Sequence, residues 1–173
     1  MAKYPSIEVG DLWTATLADS MIPDFIRKTA ATLRPSTTTF ADDPDLVIAL
    51  LANAVYFVEM YIRYATTSAA GFKTAWTVPS GVTTSTRTVM GAGSTQVDTS
   101  ADNDSGRYGV HNYATSVSYG DRNSATNQLI AVETSIVATT TAGNCALQWA
   151  QDASTAVDTA VSGNSFIRGT RIG

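Results

Sequence analysis

Charge is scarce in this sequence. Lys, Arg, Asp and Glu make up 15% of the 173 residues, against about a quarter in an average soluble domain. Thr, Ser, Ala and Gly fill the gap, so solubility rests on hydroxyls. A surface so poor in Lys and Glu loses little hydration when covered and suits burial between subunits. Basic residues are the scarcer sign: the net charge is −4, the pI is near 4.7, and no basic cluster is longer than Arg27-Lys28. The electrostatic footprint of a nucleic-acid binder is missing, which excludes DNA and RNA as main partners.

Histidine and cysteine occur once each. His111 falls inside an alternating strand and reads as a strand residue satisfied by a neighbour, not as a general base. A triad would need a Ser or Cys and an acid beside that one His, and no strand, Gly turn and helix of the G-x-S-x-G kind is there to present a nucleophile. Zinc would find two ligands of its usual three or four. Cys145 has no cysteine to pair with, and its alternation with Leu147 and Trp149 is that of a small buried hydrophobe. GAGST lacks the Lys and following helix of a phosphate-binding loop. Few glutamates and no sign of a cleft leave a two-carboxylate glycosidase disfavoured. The expectation is a protein that is not an enzyme and has no cofactor.

Two acidic turns remain: Asp42, Asp43 and Asp45 in ADDPD, and Asp102 and Asp104 in DNDSG. Both are oxygen-rich in the manner calcium uses, but neither has EF-hand spacing, and Asp is frequent in turns for its own backbone hydrogen bonds. No metal is expected. No run approaches the roughly 20 apolar residues of a membrane span, and the start lacks a basic region followed by an apolar stretch and a cleavage site. No membrane partner is expected, and synthesis in the cytoplasm is.

What is present is period two. From residue 46 onward, apolar residues alternate with polar ones in the manner of strands with one buried face. In VYFVEMYIRYAT, Tyr56, Val58, Met60, Ile62 and Tyr64 fall on one face. Phe57, Glu59, Tyr61 and Arg63 fall on the other, a mixed face on which Phe57, Tyr61 and Arg63 are candidates for a subunit interface. LVIAL (46–50), FKTAWTVP (72–79, with Phe72, Trp76 and Val78 inward) and TSTRTVMGA (84–92) read as further strands. So do RYGVHNYATSVSYG, and QLIAVETSIVATT with Ile130, Val132 and Ile136 on one side. TAGN reads as a hairpin connection into CALQWAQDA. SFIRGTRI is the last strand, and STTTF (36–40) a weaker one. Eight or nine short strands without intervening helices predict an all-β, antiparallel jelly-roll sandwich over 31–173. An immunoglobulin-like sandwich is the rival, but lacks here its cysteine pair beside a tryptophan.

Residues 1–30 form a separate N-terminal arm in this reading. Thr14 can cap a short helix running to Ile22, with Leu17, Met21 and Ile22 on one side and Pro23 at its end. Two helical turns are marginal alone in water. Trp13, Leu17, Met21, Ile22 and Phe25 therefore belong either to a strap under the domain's own barrel or, the favoured reading, to an anchoring arm that docks on an assembly.

Three stretches together carry a resemblance: SIEVGDLWTATLADSMIPDFI; TTTFADDPDLVIALLANAVYFVEMYIRY leading to AWTVPSG; and AGNCALQWAQDASTAVDTAVSGNSFIRGTRI. They resemble small virion proteins of tailed bacteriophages, especially those infecting actinobacteria. The resemblance implies a homotrimeric jelly roll on the virion, as a capsid decoration, head-fibre or minor tail protein, with the major capsid protein as partner and an N-terminal segment as anchor. The sequence departs from the extended members of that group in having no collagen-like Gly repeat and no coiled-coil shaft. An alternative is a tail module recognising a host surface glycan through Tyr108, Tyr113 and Tyr119.

Overall fold

The computed structural model describes residues 5–95, 97 and 106–173. One helix, α1 (Ala15–Ser20), precedes two short strands, β1 (Asp24–Arg27) and β2 (Thr32–Arg34). Then come β3 (Ala41–Leu50), β4 (Ala54–Thr66), β5 (Phe72–Thr77), β6 (Thr86–Ala92), β7 (Gly106–Asn112), β8 (Val117–Tyr119), β9 (Ser124–Thr139) and β10 (Gly143–Ala150). Last are β11 (Thr159–Val161) and β12 (Phe166–Arg171).

Strands β3 to β10 pair in a nested scheme: β6 with β7, β5 with β8, β4 with β9, and β3 with β10, all antiparallel. Lateral pairs β10–β5 and β6–β9 join these into two layers. One layer has the order β3-β10-β5-β8, the other β4-β9-β6-β7. The second is extended past β4 by β12 and β1, while β11 pairs with the far end of β4 and β2 pairs with β11. The result is an all-β antiparallel sandwich in which a sheet of eight strands faces a sheet of four.

The alternation on β4 fixes which face is inside. Tyr56, Val58, Met60, Ile62 and Tyr64 are buried, and they meet Phe72, Trp76, Cys145, Leu147 and Trp149 from the small sheet. Tyr64 stacks on Phe72 with ring centroids 4.3 Å apart. Gly169 on β12 lets the layers approach, because a Cβ there would stand 2.5 Å from the Cδ1 of Ile48.

The structure departs from the sequence expectations in several places. Among the described residues there are twelve strands, not eight or nine, because the three- and four-residue strands β1, β2, β8 and β11 are too short to show a period. STTTF (36–40) forms no strand; β3 instead starts at Ala41 and runs through Pro44. Pro44 is tolerated because β3 is an edge strand and its register against β10 shifts between Ala146 and Gln148. At that bulge the Asp43 carboxylate replaces ladder partners, accepting from the backbone N–H groups of Asp45 and Leu46. RYGVHNYATSVSYG splits into β7 and β8, which lie in different sheets. TAGN makes no hairpin: β10 pairs with β3 and β5, so this connection carries the chain from one sheet to the other.

Candidate functional site

Ile130, Val132 and Ile136 do share one side of β9, and that side faces outward. Its buried side carries Ala131, Glu133, Ser135 and Val137. The polar pair points inward because Glu133 and Ser135 find partners there. Glu133 accepts from the hydroxyls of Thr74 and Tyr119, the latter at 2.7 Å, and from Trp76 Nε1 at 2.6 Å. Arg87 Nε lies 2.8 Å from Glu133 Oε2, off the line of its N–H, so this contact is one of charge more than of a directed hydrogen bond. The Arg87 guanidinium donates instead to the carbonyls of Tyr113, Thr74 and Thr115. Burial and the Glu133 charge push the Tyr119 hydroxyl far above its ordinary range, which keeps it a donor.

With those groups inside, the outer face of the large sheet is left apolar and hydroxylated. The register places Arg27, Phe166, Tyr61, Val132, Met90 and Tyr108 in one row across six strands, from β1 to β7. The next row runs Phe25, Arg168, Glu59, Thr134, Thr88 and Val110. Phe166 stacks between Phe25 and Tyr61, with centroids 5.0 and 5.4 Å away. Phe57 stands opposite Ile136, and Arg63 opposite Ile130. All three sequence candidates for the subunit interface, Phe57, Tyr61 and Arg63, thus point the same way and are half-buried. Met90, Tyr108, Val110, Ile130 and Ile136 are exposed beside them. Two hollows indent this face. One, of about 610 Å³, lies between Met90, Tyr108, Gln128 and Ile130; the other, of about 300 Å³, between Phe57, Thr88 and Ile136.

Among the described residues before β1, none of the arm is buried by its own chain. Thr14 caps α1, its hydroxyl accepting from the Leu17 N–H at 3.1 Å, and no residue of the helix is buried. Trp13 is 69% exposed, Ile22 66%, Phe25 55% and Met21 48%, and Leu17 is half-buried. The strap under its own barrel is therefore not what the chain forms. Phe25, assigned to the arm from sequence, lies in β1, which is already the edge of the large sheet. Lys28 follows at once and is fully buried.

The acidic turn of ADDPD is filled from within. Lys28 Nζ lies 2.9 Å from Asp43 Oδ1 and 2.6 Å from Asp45 Oδ2, an ammonium where a bound cation would be. Trp149 Nε1 donates to Asp43 Oδ2 at 3.0 Å, and Asp42 accepts from Thr77. Arg34 covers the Trp149 ring, its guanidinium carbon 4.2 Å from the centroid. Asp102 and Asp104 lie outside the described residues. Among the described residues no group of three or more His, Cys, Asp or Glu side chains could hold a metal ion.

Of the three tyrosines considered for glycan binding, Tyr108 is exposed, whereas Tyr113 and Tyr119 are core residues, which corrects that expectation. Tyr113 stacks on Trp76 and shares hydrogen bonds with Ser135 and Thr84. His111 sits on β7 opposite Arg87, half-buried, and its pKa is lowered by that burial and by the charges of Arg107 and Arg87. Cys145 is fully buried, and burial pushes its thiol far up, out of reactive range. Among the described residues, the arm and the outer sheet face carry most of the large apolar side chains that are exposed. No family model, curated protein or solved structure matches the chain.

Proposed function

We propose that the chain is a structural protein of a tailed-bacteriophage virion, a homotrimer that binds the capsid surface as a decoration or head-fibre protein and stabilises it. It is made in the host cytoplasm and works on the assembled particle. The observation that carries this reading is the pair of unburied apolar surfaces, the arm around Trp13 and the outer face around Tyr61, on a domain whose fully buried charges are paired, Lys28 with Asp43 and Arg87 with Glu133. Contiguous exposed apolar surface of this kind marks an assembly contact. The nested pairing of β3 to β10 supports a jelly roll, an architecture frequent in capsid and lectin domains.

Function in this reading is adhesion, with no chemical step and no cofactor. Purified full-length protein should bind saturably to heads that lack it, at a fixed number per capsid, and make no saturable contact with host cells. Binding to cells without binding to heads would favour the second reading, a minor tail protein recognising a host glycan. One observation supports that alternative: Tyr108 stands exposed beside the larger hollow, where Arg122 and Gln128 add polar groups. Turnover of a glycan or peptide that a single Asp or Glu substitution abolishes would overturn both.

A further inference from the structure

We infer that the outer face of the large sheet is the seat of the N-terminal arm of a second copy of this chain, so that subunits clasp one another by exchanging arms. The inference rests on the homo-oligomer proposed above and names the contact that holds it. Three observations carry it. Within one copy both surfaces stay bare: α1 buries no residue, and Met90, Ile130 and Ile136 remain exposed, so the arm does not serve its own sheet. Their charges are opposite. Residues 5–23 hold Glu8, Asp11 and Asp19 and no Lys or Arg, whereas the outward positions of the six strands hold one acid, Glu59, against Arg27, Arg63 and Arg168. Glu59 is already paired with Arg168.

Size agrees as well. Six strands about 4.8 Å apart and some seven residues long give a face roughly 24 Å square, on the order of 600 Å² before side-chain relief, near the ~800 Å² per partner of a stable interface. An arm of residues 7–23 with α1 coiled reaches on the order of 40 Å, enough to cross it. The chain leaves β1 at the sheet edge, with Pro23 at the exit, so a neighbour beside that edge lies within reach. An acidic, apolar strap on an apolar, basic face satisfies both at once.

The test uses the full chain. Leu12→Cys combined with Ile136→Cys should, under mild oxidation, give covalent dimers and trimers on a non-reducing gel. Neither single variant should, and the buried Cys145 stays silent. Thr88 is exposed on the same face, and Thr88→Glu, facing an acidic arm, should weaken association at least tenfold in sedimentation equilibrium, whereas Thr88→Lys should leave it unchanged or tighter. A disulfide formed only within one chain, equal effects of Glu and Lys, or a full-length protein that stays monomeric would each overturn the exchange. None of these measurements involves particles, so a clasped trimer absent from virions would sink the proposed function and leave this contact standing.

Discussion

Glu133 gathers three donors and a guanidinium around a carboxylate with no exposure, and its partners come from three strands, β5, β6 and β8. Glu133→Ala would strand Arg87 as an uncompensated buried charge and should cost about 3–5 kcal/mol in urea unfolding. The double variant Arg87→Met with Glu133→Leu should recover much of that loss, since it removes both charges together. His111 is the one histidine, so its titration can be followed without ambiguity. Its folded pKa lies below the ordinary 6.5. Above that value both states are neutral and the group adds no pH dependence. As pH falls through 6.5 the unfolded chain takes up a proton first, and stability drops until the folded pKa is passed. An NMR titration of the imidazole should give a midpoint under 6.5, and His111→Gln should flatten this part of the stability profile. Sequence reading placed Cys145 correctly because its neighbours alternate. It could not place Glu133, because a buried glutamate in a strand looks like an exposed one until its partner is known.

Strands long enough to alternate were legible, as β4 and β10 show, and so was the Thr14 cap of α1, whose residue types suffice to mark a helix start. β9 alternates equally well, yet both of its faces carry apolar residues, and nothing in the period says which is inside. The turns carry their own signals. Gly71 joins β4 to β5 with φ of +67°, and a Cβ there would stand 2.8 Å from the Cβ of Asp152. Gly71→Ala combines a left-handed backbone with that clash, and should cost more than about 1 kcal/mol in thermal unfolding. For the arm, fluorescence separates three tryptophans: Trp76 and Trp149 are buried, and Trp13 is open. Acrylamide should quench the Trp13 component strongly in dilute, dissociated protein and weakly in the assembly. Trp13→Phe should abolish the difference. Equal quenching in both states would mean that the arm stays in solvent.

At the scale of the molecule, the nested order of β3 to β10 brings together ends of the chain about a hundred residues apart in sequence, and period alone could not disclose it. Pairing partners are chosen by side-chain fit across strands, such as Phe57 against Ile136, and by bulges such as that at Pro44. Contacts so distant also predict refolding in milliseconds to seconds, not microseconds, in stopped-flow fluorescence. Fold class was within reach of sequence. The outer face was only partly so: Phe57, Tyr61 and Arg63 were legible on one strand, while Val132, Met90 and Phe166 joined them only through the register. That the assembled protein belongs to a virion is tested most directly by mass spectrometry with copy-number measurement on virions separated into heads and tails. Hundreds of copies per head, and none on tails, is the predicted result; a few copies confined to tails, or none on the particle, would contradict it.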